Sequence, residues 1–353
     1  MKKIILALFA ASISLTAFAT DPKTDASSVQ AQNQVINVAA FKGIQVTGIT
    51  VSKDGRLFAN APRWRTGVPF SVIEIMPDKT YKPYPNESMN TWEIGDAISD
   101  KFIGVQSVVA HGNYLYVLDT ANPEFKGIIT EPRMYVYDLR DNKLVKTYIF
   151  PSDVVKKNSY TNDLRVDDKN HKIYITDSGA AGLIILDTKT GKFTRVLDDS
   201  QYTKAEFDHL TINGKEWKGV VHADGIALDT KHDILYLHAL SAYTLYGIKT
   251  ADLSNPDALK KTQVFSLKTG APDGMIFDEN GNLYIGDLES NSISYLTPDR
   301  KELKPFVQTD VDWPDTFSIH DGYLYYSNSR ISETRGDISQ MFFTINKVKL
   351  PTK

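Results

Sequence analysis

Residues 271–287 read APDGMIFDENGNLYIGD. Pro272-Asp273-Gly274 opens into an alternating apolar run carried by Met275 and Phe277, and a turn over residues 278–282 leads to a second run, Leu283-Tyr284-Ile285. Asn280-Gly281 between two such runs is hairpin chemistry, because both residues accept a positive φ. The stretch predicts a β-hairpin with an acidic side chain, Asp273, at the mouth of its first strand.

The chain repeats this pattern. His222-Ala223-Asp224-Gly225 starts a run to residue 229 with a second run at 234–237. The same pairing recurs at 160–167 with 173–177, at 313–319 with 323–326, at 46–51 with 54–58, and more weakly at 105–109 with 112–119. Aligning the six superposes Thr47, Gln106, Asn162, Asp224, Asp273 and Asp315, separated by 59, 56, 62, 49 and 42 residues. A period of that length carried entirely by strands indicates a β-propeller in which each repeat is one four-stranded blade. The expected fold is therefore all-β, a six-bladed β-propeller with a central channel. One blade cannot bury its own faces, so blades stack around an axis and equivalent positions meet at one channel mouth. Six small polar or acidic side chains then form a ring.

The chain has 353 residues, 42% hydrophobic and 24% charged, ordinary values for a globular protein. The repeat argues for one propeller domain over residues 35–353. Residues 20–34, polar and rich in Ser, Gln and Asp, read as a flexible leader. Residues 1–19 read as a secretory signal peptide: Lys2-Lys3, an apolar run from Ile4, then Ala17-Phe18-Ala19 as a cleavage site. That run is short for an anchor and is interrupted by Ser12, Ser14 and Thr16. Cleavage near Ala19 implies a periplasmic or secreted protein with no membrane attachment. The chain has no cysteine, which removes disulfides, thiol catalysis and thiolate metal sites, and a chain this long builds its core without them. With the Lys-Lys signal, this points to bacterial export. Net charge is −3, and losing Lys2 and Lys3 makes the mature protein more acidic. No basic block stands out, so nucleic acid is not an expected partner. The expected partner is a small molecule, and the protein reads as a monomer.

Residues 35–40 suit a strand that pairs with residues 341–345 or with Val348, closing the ring without a free edge. Residues 81–99 read as an irregular surface excursion, 121–133 as a long loop inside the second blade, and 200–219 as an insertion with a small hairpin at Asn213-Gly214. A helical turn is expected within 250–261. Long loops on a rigid scaffold carry specificity, so these are expected to rim the channel.

Several pieces carry a family resemblance: Pro62-Arg63-Trp64 with Gly67-Val68-Pro69; Leu115-Tyr116-Val117-Leu118-Asp119-Thr120; Gly182-Leu183-Ile184; Asp224-Gly225-Ile226-Ala227-Leu228 with Leu235-Tyr236-Leu237-His238-Ala239-Leu240-Ser241; and Trp313-Pro314-Asp315-Thr316-Phe317 with Ser327-Asn328-Ser329-Arg330. Their order and spacing over residues 46–331 resemble the major royal jelly protein/Yellow family in its bacterial branch, which is related to dopachrome-converting proteins. The resemblance implies a secreted six-bladed propeller whose channel holds a small ligand, an amine in some members. Insect members carry cysteines that have no counterpart here, so their disulfides do not transfer. More distantly the chain is similar to gluconolactonase/regucalcin propellers. That similarity implies a channel metal held by a Glu early in blade one, an Asn from a later blade and an Asp from a Pro-Asp-Gly turn. Pro272-Asp273-Gly274 matches and Asp224 stands at the Asn position, but Thr47 stands where the Glu would be, which departs from metal-dependent lactonase chemistry.

Three carboxylates at one channel mouth repel and are costly to desolvate without compensation. Calcium or another divalent cation is one compensator, with oxygen ligands from Asn162, Asp224 and Asp273 and contributions from Gln106 and Thr47. A cationic amine is the other, held by Asp224, Asp273 or Asp315 and stacked on an aromatic ring. The structural alternative is that each Asp caps its own blade by accepting backbone N–H groups at the strand start. His222, two residues before Asp224, reads as a general base, a ligand contact or a hydrogen-bonded structural residue; His238 is the other histidine near the ring. Arg63 is expected to pair with a ring acid. No paired histidine spacing for zinc, nucleophile elbow or phosphate-binding loop is present. The expected function is binding of a small amine or catechol-type ligand at the channel mouth. The alternative is a metal-dependent lactonase-like hydrolase or a dopachrome-type tautomerase using Asp224, Asp273 or His222. A pure interaction scaffold has no feature in its favour.

Overall fold

The strands of the chain pair into six four-stranded antiparallel sheets and one separate two-stranded hairpin in a computed structural model that describes residues 34–261 and 264–351. The expected signal peptide at 1–19, and the leader up to residue 33, lie outside the described residues. Blade 1 runs Ile49–Val51, Leu57–Asn60, Val72–Ile75 and Tyr81–Pro83. Blades 2, 3, 4 and 5 start from inner strands Val105–His111, Thr161–Asp167, Ala223–Asp229 and Pro272–Phe277, each followed outward by three more strands in chain order. In blade 6 the strands Pro314–His320, Tyr323–Asn328 and Phe342–Lys349 are completed at the outer edge by the N-terminal strand Ile36–Lys42. Ile36 faces Lys347 and Phe41 faces Phe343 in that closing pair, which is the pairing expected of residues 35–40. The six-bladed propeller is the observed fold.

Each strand alternates, so one set of apolar side chains faces the preceding blade and the other faces the next. Between blades 3 and 4, Tyr174, Leu183 and Ile185 pack against Ile226, Leu235 and Leu237 in one buried cluster. Equivalent clusters fill the other seams. The stack of seams, not any single sheet, holds the ring together.

The inserted hairpin forms as expected. His209–Ile212 pairs with Lys215–Lys218 across Asn213-Gly214, both at positive φ. A short helix, Pro256–Lys261, sits in the expected segment. Residues 81–99 differ from expectation. Tyr81–Pro83 is the outer strand of blade 1, and Tyr84 and Trp92 are buried. Asn90 fastens the segment: its amide oxygen accepts the N–H groups of Ser71 and Val72 at 2.8 Å, and its nitrogen donates to the carbonyls of Tyr84 and Asn86. Arg63 is also corrected. Its buried guanidinium donates to the carbonyls of Val68 and Asn90 and lies 4.0 Å from Glu93, pairing with none of the ring acids.

Candidate functional site

The ring is made by a repeated irregularity. In blade 3, Thr161 faces Asp177 and Leu164 faces Ile175, so two residues, Asn162 and Asp163, stand against one. The same bulge holds Asp224-Gly225 in blade 4, Asp273-Gly274 in blade 5 and Asp315-Thr316 in blade 6, and a one-residue slip isolates Gln106 in blade 2. A bulge breaks the ladder and re-aims the side chain on it, which directs these five into the channel. The glycine after each of two aspartates is a packing requirement. A Cβ at Gly225 would stand 2.8 Å from the Asp273 carbonyl oxygen, and one at Gly274 would stand 2.7 Å from that of Asp315. Asp-Gly is thus the sequence form of neighbouring bulges in close contact.

Thr47 is the exception. Blade 1 has no such bulge, because its inner strand begins at Ile49. Thr47 is buried, its N–H bonded to the Asn60 carbonyl and its hydroxyl accepting from Asn60 Nδ2, and it does not line the cavity.

A different repeat position does the capping. Asp119, at the end of the second strand of blade 2, accepts the N–H groups of Ile103 and Gly104 just ahead of the inner strand. Asp177 accepts from Ser159 Oγ and Tyr160 N–H in blade 3, and Asn328 from Asp312 N–H in blade 6. Asp224, Asp273 and Asp315 accept no backbone N–H among the described residues. Their partners are Asn162 Nδ2 at 2.8 Å, Trp313 Nε1 at 2.7 Å and Thr316 Oγ1 at 3.0 Å respectively. The capping alternative therefore does not describe them.

A cavity of ≈570 Å³ opens at this end of the channel. Gln106, Asn162, Asp224, Asp273 and Asp315 form its inner end, and Trp64, Phe125, Tyr160, Trp217 and Trp313 supply its aromatic walls. Phe125 stacks on Tyr160 with centroids 4.8 Å apart and stands 5.3 Å from Trp64; Trp217 meets Trp313 edge-on at 4.9 Å. Trp217 comes from the inserted hairpin and Phe125 from the loop of blade 2. Phe125 and Trp313 both take left-handed backbone, φ 56° and 55°, an uncommon conformation for bulky residues that is used here to present their rings. Below the ring, Arg165 of blade 3 bonds Asp163 and reaches the Met275 carbonyl of blade 5, bridging the channel.

One directed chain of hydrogen bonds links three of the five ring residues. Trp64 Nε1 donates to Tyr160 Oη (2.5 Å), Tyr160 to Gln106 Oε1 (2.7 Å), Gln106 to Asn162 Oδ1 (3.2 Å) and Asn162 to Asp224 Oδ2. Burial raises Asp224 and Asp273 well above the usual carboxylate range. Asp315 and then Asp163 add repulsion at Asp224, and Asp315 and then Asp224 add it at Asp273. Burial also pushes Asp315 up to about 7. No Lys, Arg or His pairs with any of the three among the described residues. The inner end of the cavity is thus a cluster of carboxyl groups whose protonated forms are favoured by burial and mutual repulsion.

His222 lies outside the cavity lining. Its Nδ1 accepts the Ala205 N–H at 3.1 Å, and burial lowers its pKa. His238 is fully buried against the Ala239 carbonyl and Thr269. For the expected metal set, Asn162 Oδ1 is already engaged by Gln106 and one oxygen each of Asp224 and Asp273 is engaged by Asn162 and Trp313. Among the described residues no three His, Cys, Asp or Glu side chains form a metal-holding group. No helix among them is long and apolar enough to cross a membrane. The aromatic walls were not among the expected site residues, although one repeat offset marks part of them. The position two before the ring residue, which singled out His222, is also that of Tyr160 and Trp313.

The major royal jelly protein family pattern matches residues 105–350. Major royal jelly protein 3 of Apis mellifera is 25% identical over 65% of this chain and 44% of its own length. Dopaminechrome tautomerase of Drosophila melanogaster is 26% identical over 64% of this chain and 52% of its own; protein yellow of Drosophila erecta is 29% identical over 55% and 39%. The chain thus spans about half or less of these relatives. Among solved structures, luciferin-regenerating enzyme superposes with a TM-score of 0.55 at 13% identity, over 91% of this chain and 98% of that one. A gluconolactonase from Xanthomonas campestris superposes at 0.55 and 11% identity, over 90% of each. At such identities these superpositions speak for the propeller fold alone.

Proposed function

The chain belongs to the major royal jelly protein family, and from that premise we propose that it is an exported bacterial propeller binding a small aromatic amine in the channel-mouth cavity. The observation that carries the reading is the pairing of three buried carboxyl groups, which lack a cationic partner among the described residues, with walls of tryptophan, tyrosine and phenylalanine. An ammonium group supplies the missing charge, and its aromatic body fits between Phe125 and Tyr160 on one side and Trp217 and Trp313 on the other. Cation–π attraction adds to the pairing in a desolvated site. Asn162 and Trp313 keep Asp224 and Asp273 oriented.

Isothermal titration tests this. Tryptamine is expected to bind one to one, with affinity rising between pH 6 and pH 8 as the carboxyl groups give up protons more readily. Calcium titrated into the same protein separates the amine from a divalent cation held by Asn162, Asp224 and Asp273. Stoichiometric calcium binding with no amine binding would replace the present reading.

A second reading is proton-transfer catalysis on a catechol-derived substrate. It is favoured by Asp315, whose pKa near neutrality suits both giving and taking a proton, and by the relative named dopaminechrome tautomerase. One carboxylate would take a carbon-bound proton while a second carboxyl group protonates the carbonyl oxygen, leaving composition unchanged. Asp224, Asp273 and Asp315 are the candidates, and His222 stands outside the lining. Loss of aminochrome absorbance faster than in buffer is the assay.

A further inference from the structure

We propose that the ligand of this cavity carries a carboxylate at the end opposite its ammonium group, and that Arg65 and Arg335 select it. The proposal rests on the amine-binding reading. The chain has ten arginines, all within the described residues. Eight of them lie within 4.0 Å of a carboxylate of the protein. The remaining two, Arg65 and Arg335, have no acidic partner among the described residues, and both line the cavity.

The two arginines belong to adjoining blades, and the loop that carries Arg335 is bonded to Arg65. Arg65 follows Trp64 in the loop between the second and third strands of blade 1. Its Nη2 donates to Gln45 Oε1 at 3.1 Å and the Thr334 carbonyl at 3.3 Å, and its Nη1 lies 3.5 Å from the Gly336 carbonyl. Thr334 and Gly336 flank Arg335 in the chain, so the loop of blade 6 is tied to the Arg65 guanidinium on either side of the second arginine. Arg335 itself is exposed, with its Nη2 3.5 Å from the Lys218 carbonyl on the inserted hairpin. Lys218, which also lines the cavity, is paired with Glu216 at 3.2 Å. Neutral carbonyls satisfy the N–H groups of Arg65 but leave its charge uncompensated, and burial lowers its pKa accordingly.

The cavity is therefore dipolar, with uncompensated carboxyl groups at the inner end, uncompensated guanidinium groups at the rim and aromatic walls between. A bare amine neutralises only the inner end and must pass two cations on entry. An aromatic ring with an ammonium on one side and a carboxylate on the other neutralises both ends. The guanidinium fork matches a planar carboxylate in two parallel hydrogen bonds.

Matched probes test this by titration. Benzylamine lacks the carboxylate, whereas 4-(aminomethyl)benzoate and 4-(aminomethyl)phenylacetate carry it at two reaches. The better of the two acids is expected to bind about tenfold or more tightly than benzylamine. Arg335→Gln and Arg65→Gln should each erase most of that preference, read as the ratio of acid to benzylamine affinity in the same variant. Among the described residues Arg335 makes one long hydrogen bond, so its variant is expected to melt with the wild type and keeps the test independent of folding. Benzylamine binding as tightly as both acids, or a preference that survives in both variants, overturns the proposal and leaves amine binding standing. Failure of benzylamine, tryptamine and both acids alike to bind overturns the amine reading as well.

Discussion

Asp224→Asn combined with Asp273→Asn is expected to abolish tryptamine binding while the protein stays folded. Removing the partner of a desolvated charge pair costs roughly 2–5 kcal/mol, so a loss of about 100-fold or more is expected from the pair of substitutions. Folding should survive because asparagine reproduces the contacts that orient the aspartates. Its amide oxygen still accepts from Asn162 Nδ2 at position 224 and from Trp313 Nε1 at position 273, the two bonds these carboxylates make now. Titration of the double variant beside its melting curve separates the outcomes. Lost binding with an unchanged or raised melting temperature fits a ligand role. Unchanged binding shows that the carboxylates do not carry the cation, and a collapse of stability shows that their role is structural.

Asp315→Asn is expected to stabilise the protein at pH 8 and to change little at pH 4. Burial raises Asp315 from 3.8 to about 7. The folded state therefore holds a proton that the unfolded chain releases between those values, and stability falls as pH rises through that window. That rise corresponds to about 4 kcal/mol of stability lost from this carboxyl by pH 8. Asparagine is neutral throughout and should recover most of it. Below pH 4 both forms are uncharged at this position and the difference closes. Other carboxylates act in the opposite sense, as with Glu74, held below its usual range by Arg56 despite its burial, so the informative quantity is variant minus wild type in urea unfolding at each pH. A gap that grows from pH 4 to pH 8 is predicted. A gap independent of pH, or a variant less stable at pH 8, contradicts it.

These aspartates were visible in the sequence because the same backbone problem is solved repeatedly. Asp224-Gly225 and Asp273-Gly274 share a spelling because adjacent bulges crowd each other's carbonyl oxygens and leave no room for a Cβ. The strand pairing of residues 35–40 with the C-terminal run was legible for the same kind of reason, since a ring of blades needs closing. Thr47 aligned with the ring yet lies outside it. The missing bulge of blade 1 and the late start of its inner strand at Ile49 are matters of register. The aromatic walls were harder still. Trp64 and Phe125 sit in loops and Trp217 in the inserted hairpin, all outside the repeat, and only folding brings them over one opening. Tyr160 and Trp313 do occupy a repeated position, two before the ring residue. His222 occupies it too, but the inserted segment claims its Nδ1 through Ala205. Residues 81–99 looked irregular and were packed, because Asn90 supplies from one side chain the hydrogen bonds that a regular strand would have supplied from its backbone.

The central claim is that the ring carboxylates receive the ammonium of an aromatic ligand, and a crystal structure of the protein with tryptamine tests it most directly. The account predicts the ammonium nitrogen within hydrogen-bond distance of Asp224 and Asp273, with the indole between Phe125 and Trp217. An indole lodged elsewhere, or a metal ion seated on Asn162, Asp224 and Asp273 in its place, would contradict it.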